Sequence, residues 1–291
     1  MLSFLAHLPR LPGASAALRA VQRTAALLLA LAACSQGAAL AAVPLDVVRI
    51  GGTGAGVGTM QRLAEAYVRQ HPHLRFSVVP NMGSAGGIRA VLSGALQIGL
   101  STRALTTAEV RAGAESVEYG RTPLVYAMAD RSPVQGLSTR ELADIYQGRR
   151  THWGDGTRLR LLVRPKGHSH NELIASLSPA LREALEASEQ RKGLASMGTD
   201  QATADVLEKV PGAIGPSTLA LIRSEGRTLK ALALDGVTPT PESVADGSYP
   251  LAKRMMLVTG PQTPPAARAF VHYVRSAEGR KLLAKYGHAV D

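Results

Sequence analysis

The alternation of strand-like and helix-like segments over residues 46–100 constrains the fold more than any other feature of the sequence. Asp46–Ile50 has an apolar strand pattern, and Met60–Gln70 carries apolar residues at i, i+3, i+4, i+7 and i+8, which predicts a helix. Leu74–Val79 and Leu96–Leu100 are predicted strands, with a short helix around Ile88 between them. Strand and helix in this order predict an α/β fold around a largely parallel sheet.

No Pro-rich or Ser-rich linker divides the chain into consecutive domains. Two α/β lobes could still form if the chain leaves one lobe, builds a second and returns. The crossing points would then be the extended segments near Gly120–Leu124 and Ser248–Pro250.

Composition limits the classes of function. The 291 residues are 45% hydrophobic and carry a formal net charge of +11, which favours anionic partners. The basic residues are dispersed and aromatic residues make up only 4%, so we expect no nucleic-acid partner. The single cysteine rules out an internal disulfide and any Cys-pair metal motif.

The N-terminal segment has the pattern of an export signal, with basic residues before the apolar run 25–33. Its basic residues are Arg10, Arg19 and Arg23. Two processing sites compete. Ala39-Leu40-Ala41 fits a signal peptide of residues 1–41, whereas Leu31-Ala32-Ala33-Cys34 resembles a lipoprotein box whose signal ends at residue 33 and whose Cys34 carries lipid. Both predict a periplasmic protein.

The glycine-rich stretch 51–59 (GGTGAGVGT) lies between a strand and a helix. It fails the dinucleotide spacing, because Gly at i and i+2 is not followed by Gly at i+5, and it lacks the lysine of a P-loop. A generic oxyanion nest with the hydroxyls of Thr53 and Thr59 fits the stretch, and so does a tight turn without ligand.

Two more loops have the same character. Residues 83–87 (GSAGG) again join a strand to a helix, and Ser101-Thr102-Arg103 follows the strand Leu96–Leu100. In a parallel sheet these loops lie at the carboxyl edge of the strands, where ligands of open α/β folds bind. Together they predict an anion site.

The order of several segments resembles the phosphate-binding periplasmic components of ABC transporters. The segments are GGTGAG (51–56), PNMGSAGGIRAVLSGALQIGLSTRALT (80–106), STRELADIYQGRRTHW (138–153), GAIGPSTLAL (212–221), DGSYPL (246–251) and FVHYVRSAEGRKLLAKYG (270–287). The resemblance implies a two-lobed type 2 periplasmic-binding-protein fold with a central cleft and crossover hinge strands. Lobe 1 would comprise residues 42–124 and 249–291, and lobe 2 residues 125–248.

The resemblance also implies ligand residues. In lobe 1 these are Thr53, the amides of Gly54 and Ala55, Ser84, Ser101 and Arg103. Arg164 matches the arginine that opens the family's R-x-D-G-S-G-T segment in the other lobe. The chain departs from the family there, because Lys166-Gly167-His168-Ser169-His170 replaces Asp-Gly-Ser-Gly-Thr. We include His168, Ser169 and His170 as candidate ligand residues. A carboxylate could accept the proton of hydrogen phosphate, and no obvious one takes the aspartate's place.

The expected function is capture of an inorganic oxyanion, phosphate or a phosphate-like anion, by a monomer that delivers it to an ABC permease. The alternative is an envelope sensor or interaction protein with the same fold and an altered anion site. An enzyme is not expected, because no Gly-x-Ser-x-Gly elbow or His-Glu-x-x-His helix occurs. No cofactor and no metal are expected.

Overall fold

The computed structural model describes residues 46–80 and 82–290. The predicted export segment, with Cys34 and both processing sites, lies outside the described residues. The strands are β1 (Asp46–Gly52), β2 (Leu74–Val79), β3 (Ile98–Ser101), β4 (Glu115–Ala129), β5 (Gly136–Leu137), β6 (Arg160–Val163), β7 (Ala195–Ser196), β8 (Ala213–Thr218), β9 (Leu229–Ala231), β10 (Ala233–Leu234) and β11 (Ala252–Thr259). The helices are α1 (Gly54–Val68), α2 (Gly83–Leu92), α3 (Thr107–Arg111), α4 (Thr139–Gln147), α5 (Ser169–Ala175), α6 (Pro179–Ser188), α7 (Asp200–Lys209), α8 (Leu219–Glu225), α9 (Pro241–Ala245), α10 (Pro265–Val274) and α11 (Ala277–Lys285).

The strands follow the order β2-β1-β3-β11-β4-β8-β6-β7, with β9 paired to β4 and a separate β5-β10 pair. β1 pairs in parallel with both β2 and β3, and β6 pairs in parallel with β7 and β8. The predicted α/β fold is therefore confirmed, but the sheet is mixed rather than largely parallel. β11 pairs antiparallel with β3 and β4, and β4 pairs antiparallel with β8 and β9.

The long strand β4 joins two halves of the structure. Its first part, Glu115–Pro123, pairs with β11, and its second part, from Leu124 to Ala129, pairs with β8 and β9. We call the half built on β1, β2 and β3 lobe 1, and the half built on β6, β7 and β8 lobe 2. The chain passes from lobe 1 to lobe 2 along β4 and returns at β11.

Each lobe has its own large apolar cluster. The lobe 1 cluster includes Ile50, Met60 and Phe270, and the lobe 2 cluster includes Tyr146 and Trp153. Separate cores beside a shared pair of strands leave a cleft between the lobes. Within the part of the chain that the structure describes, no helix is both long enough and apolar enough to cross a membrane.

Helix α1 differs from its predicted bounds in a way that matters for the cleft. The helix begins at Gly54 rather than at Met60, so most of the predicted glycine-rich loop forms its first turns. A Cβ at Gly54 would lie 2.6 Å from Gln201 Oε1, and one at Gly58 would lie 2.6 Å from Ser224 Oγ. Both partners belong to lobe 2 elements, so the glycines allow α1 to approach the other lobe closely.

Capping signals in the sequence explain where two helices of lobe 2 begin. The capping box of Ser138 and Glu141 opens α4, and Ser178 with Pro179 opens α6. Trp153 is buried, and its indole Nε1 donates to the Gly212 carbonyl. The sequence interpretation missed α7, which begins at Asp200.

Candidate anion-binding cleft

A cavity of about 360 Å³ lies between the two lobes, at the carboxyl ends of their parallel strands. Lobe 1 contributes loops after β1, β2 and β3, and lobe 2 contributes loops after β6 and β7. The residues that line the cavity include Thr53, Gly54, Ser84, Thr102, Arg103, Arg164, His168, Ser169, Asp200 and Gln201. As the sequence predicts, the loops that follow the strands converge on one site.

Two helices of lobe 1 start at the cleft without a side-chain cap. The residues before α1 and α2 are Thr53 and Met82, and neither side chain bonds to the first turn of its helix. The first N–H groups of a helix have no partner within the helix and carry partial positive charge. The start of α1 at Gly54 and of α2 at Gly83 thus offers backbone donors to an anion.

Two serine hydroxyls of the cleft are arranged as donors. Ser84 Oγ accepts the Thr102 N–H at 3.1 Å, and Ser169 Oγ accepts the ammonium of Lys253 at 3.1 Å. A hydroxyl has one hydrogen to donate, and these contacts use an acceptor position of each oxygen. The hydrogens of Ser84 and Ser169 can therefore point at a ligand that only accepts, or at Thr102 Oγ1, which lies 3.4 Å from Ser84 Oγ and 3.5 Å from Ser169 Oγ.

Arg164 is the most buried cation that lines the cleft, with a relative exposure of 5%. Its Nη1 donates to Thr203 Oγ1 at 2.9 Å, and its Nη2 lies 2.7 Å from His168 Nε2. Burial lowers the pKa of Arg164, and the charge of Asp200 opposes that shift. These contacts fix the guanidinium at the inner end of the cavity, where charge acts with little screening.

Asp200 supplies a carboxylate that the sequence interpretation did not find. It is the first residue of α7, is 6% exposed and lines the cleft. Its Oδ1 lies 3.4 Å from Arg164 Nη2 and 3.7 Å from His170 Nε2, and it makes no hydrogen bond among residues 46–80 and 82–290. The sequence shows no obvious carboxylate in place of the family's aspartate, whereas the structure places the Asp200 carboxylate at the cavity.

The two histidines of the 166–170 segment have different positions. His168 lines the cleft, whereas His170 is fully buried behind it, next to Asp200. Burial, with the positive charges of Arg164 and Lys253, lowers the pKa of His168 to about 4, and burial lowers the pKa of His170 well below its usual value. Both imidazoles are therefore neutral at neutral pH, and they add no charge to the site.

Arg103 lines the cleft but is already paired. Its guanidinium makes two hydrogen bonds to the carboxylate of Glu109, at 2.9 and 2.7 Å. The hydrogen bond from Arg103 lowers the pKa of Glu109 to about 2, so the pair is fully ionised. Arg103 therefore brings less unbalanced charge to the cleft than Arg164 does.

Three predicted site residues do not line the cavity. Ala55 and Ser101 are fully buried, as is His170, and the Ser101 hydroxyl donates to the Arg103 carbonyl within its own loop. Lys166, from the altered segment, does not line the cavity either. It is exposed and pairs with Glu189 at 3.0 Å, on another face of lobe 2.

The lobes already touch across the cleft. Gln201 Nε2 donates to the Gly54 carbonyl at 3.0 Å, and the hydroxyls of Thr102 and Ser169 lie 3.5 Å apart. These contacts connect lobe 1 with lobe 2 at the cavity. A ligand in this arrangement would be surrounded by donors from both lobes.

The residues that the sequence interpretation missed had recognisable signals. Thr199 caps α7 by accepting the Ala202 N–H, and Ala204 and Leu207 are buried on the inner face of that helix. A threonine before such a pattern predicts a helix start, which would have brought Asp200 to a strand-end loop. In β11, Lys253 is two residues before the buried Met255. Side chains two residues apart on a strand lie on the same face of the sheet, so the strand pattern predicts that Lys253 faces inward.

Within the described residues, no group of three or more His, Cys, Asp or Glu side chains is arranged to hold a metal ion. A two-lobed α/β structure whose strand ends and helix starts face a common cleft is a type 2 periplasmic-binding-protein fold. The chain belongs to the PBP superfamily, whose domain model matches residues 32–278.

Curated relatives and solved structures agree with this assignment. The chain is 26% identical over 241 residues to the phosphate-binding protein PstS of Bacillus subtilis strain 168, covering 78% of this chain and 76% of the relative. A Clostridium perfringens structure, described as a phosphate ABC transporter substrate-binding protein with bound phosphate, matches with a TM-score of 0.71 and 22% identity. The match covers 84% of this chain and all of that one.

A further structural likeness is to PfluDING, a high-affinity periplasmic phosphate-binding protein solved with phosphate. The TM-score is 0.62, the identity is 13%, and the match covers 84% of this chain and 90% of that chain. At such identities the structural matches establish the shared fold.

Proposed function

We propose that the chain is a solute-binding protein that captures phosphate, or a phosphate-like oxyanion, for ABC-type uptake. The observation that carries the proposal is the buried Arg164, which faces the free helix starts and the donor hydroxyls of lobe 1 across a small cavity. Charge-assisted hydrogen bonds contribute about 1.5–3 kcal/mol each. A few from each lobe would hold a dianion firmly while the lobes exclude water.

Asp200 gives the proposal its specificity. Hydrogen phosphate has one P–O–H proton to donate, whereas sulfate at neutral pH has none. A carboxylate that lines the cavity, as that of Asp200 does, favours a ligand that donates and opposes one that only accepts. The site should therefore prefer phosphate to sulfate.

The other parts of the proposal follow from relatives and sequence. The matched proteins are named for phosphate binding, and two are described with phosphate in place. We propose that this chain is likewise exported to the periplasm, acts as a monomer, passes its ligand to a membrane permease and does not catalyse a reaction. Cleavage after Ala41 and lipid attachment at Cys34 remain the two alternatives for its N-terminus.

The sensor alternative rested on the altered segment Lys166–His170. Since Lys166 lies outside the cleft and Asp200 lies within it, that segment gives no reason to regard the anion site as lost. A receptor that keeps donors from both lobes fits ligand capture.

Isothermal titration calorimetry with inorganic phosphate and sulfate tests the proposal. We expect phosphate to bind and sulfate to bind at least about tenfold more weakly. Arg164→Met should weaken phosphate binding by about tenfold to a hundredfold, since it removes a charged donor. Arg160→Met is the matched control, because Arg160 is an exposed residue of the preceding strand that donates to the Pro211 carbonyl. Failure of the folded wild-type chain to bind either anion would contradict the proposal.

A further inference from the structure

Lys253 lies behind the cleft on the returning strand β11, opposite Thr122 of β4. It is 2% exposed, so its ammonium is almost completely removed from water. Its Nζ donates to Ser169 Oγ at 3.1 Å, and Ser169 lines the cavity. We propose that Lys253 is a positioning residue of the anion site, which fixes the Ser169 hydroxyl as a donor and supplies positive charge behind it. The inference rests on the proposed function.

The direction of the hydrogen bond between Lys253 and Ser169 determines the orientation of the Ser169 hydroxyl. An ammonium group can only donate, so Ser169 Oγ must accept from Lys253. The Ser169 hydrogen then points either to Thr102 Oγ1, 3.5 Å away, or to a ligand in the cavity. Without the lysine, Ser169 could turn and present an acceptor. Lys253 thus makes the Ser169 hydroxyl, which lines the cleft, a hydrogen-bond donor toward the cavity.

The buried charges beside the cleft are not balanced in the ligand-free protein. Arg164 and Lys253 are both buried beside the cleft, and Asp200 is the carboxylate that influences both. The neighbouring His168 and His170 are neutral, so two cations face one anion. Buried charge without a full counter-charge is unfavourable, and an oxyanion in the cavity would complete the balance.

The ionisation of Lys253 makes the inference measurable. Burial lowers its pKa to about 8, with Asp200 raising it and Arg164 lowering it further. The groups that face it from α5, α7 and the loop after β6 are His168, His170, Asp200 and Arg164. Above about pH 8 the two histidines stay neutral and the arginine stays charged, so among these cationic groups it is Lys253 that titrates.

Phosphate binding should then depend on pH in a defined direction. Between about pH 8 and pH 10 inorganic phosphate remains a dianion, while the free protein loses the Lys253 proton. A bound anion favours the protonated lysine, so binding takes up a proton, and Kd should rise by up to about tenfold per pH unit.

The test compares Lys253→Met and Lys253→Arg with the wild-type chain, using phosphate titrations from about pH 7 to pH 10. Lys253→Met should raise the phosphate Kd by at least about tenfold at pH 7, and the rise of Kd above pH 8 should disappear. Lys253→Arg keeps a charge that does not titrate, so it should retain affinity at pH 10. Arg254→Met, in the next residue of the same strand, is the control, because Arg254 is exposed and pairs with Glu118.

Thermal unfolding separates a binding role from a structural one. Replacing a buried ammonium by a methionine side chain is expected to leave the ligand-free midpoint unchanged or higher. A structural lysine would instead give a lower midpoint and an unchanged phosphate Kd in the folded fraction. Wild-type binding with a Lys253→Met Kd within twofold, or with the same pH dependence, overturns the inference alone. Absence of phosphate binding by the wild-type chain overturns the proposed function as well.

Discussion

Replacing Asp200 by Asn tests how the cleft would tell phosphate from sulfate. The change keeps the side-chain shape, removes a negative charge and replaces one acceptor oxygen by a donor NH₂ group. Asp200 is 6% exposed, and its carboxylate lines the cavity. A ligand that donates a proton should therefore lose most from this change, and a ligand that only accepts should gain.

The magnitude follows from the bond that is lost. A hydrogen bond to a charged group contributes about 1.5–3 kcal/mol, and about 1.4 kcal/mol corresponds to a factor of ten. Phosphate should lose roughly tenfold to a hundredfold from this contact. Removing the counter-charge of Arg164 and Lys253 strengthens the attraction for both anions. The ratio of the two dissociation constants is therefore the diagnostic quantity, and it should shift toward sulfate by about a hundredfold.

Calorimetric titration of each variant with phosphate and with sulfate measures this ratio. Asp205→Asn is the matched control, since Asp205 lies on the same helix, is exposed and pairs with Arg227. Thermal unfolding of Asp200→Asn checks folding, because the loss of a buried counter-charge is expected to destabilise the ligand-free protein. An unchanged phosphate-to-sulfate ratio in a folded Asp200→Asn variant would refute this account of specificity.

Two further predictions concern the contact between the lobes and the buried His288. Gly54→Ala places a methyl group 2.6 Å from Gln201 Oε1 and 2.8 Å from Asp200 Oδ2, so we expect phosphate affinity to fall at least about tenfold. Gly154→Ala, in open space, serves as its control, and equal affinities of the two variants would contradict a role for close lobe approach. Burial lowers the pKa of His288 to about 3, against about 6.5 in an unfolded chain, so the unfolded state binds more protons between these values and stability falls as the pH drops through them. Urea unfolding at about pH 6.5 and about pH 5 should therefore show that the wild-type chain loses about 2 kcal/mol more than His288→Gln, and equal losses would disprove this assignment.

The sequence predicts the framework of the cleft well. Period-3.6 and strand patterns locate β1, β2 and β3 with the helices that follow, and a parallel arrangement brings their carboxyl ends to one edge. The same logic places Thr53, Ser84 and Arg103 near one another, and the structure does so. Local pattern and strand order are enough for this half of the site.

The contribution of lobe 2 depends on contacts that no local pattern contains. The residues next to Lys166 and Asp200 in the sequence do not show which of these two side chains will face the cleft. Asp200 reaches it because β7 pairs beside β6, which puts the start of α7 next to Arg164. The family pattern has a carboxylate at the position of Lys166, whereas the fold brings Asp200 from the start of α7.

The buried charges of the cleft imply a trade-off between affinity and stability. Arg164 and Lys253 are removed from water whether or not a ligand is present, and Asp200 balances only part of their charge. The ligand-free protein therefore keeps an unfavourable electrostatic term that an oxyanion would relieve. Removing a positive charge and removing the negative charge should therefore have opposite effects on anion binding and on the stability of the ligand-free protein. Neutralising a cation should weaken anion binding without loss of ligand-free stability, whereas neutralising Asp200 should lower that stability and keep the cleft attractive to anions.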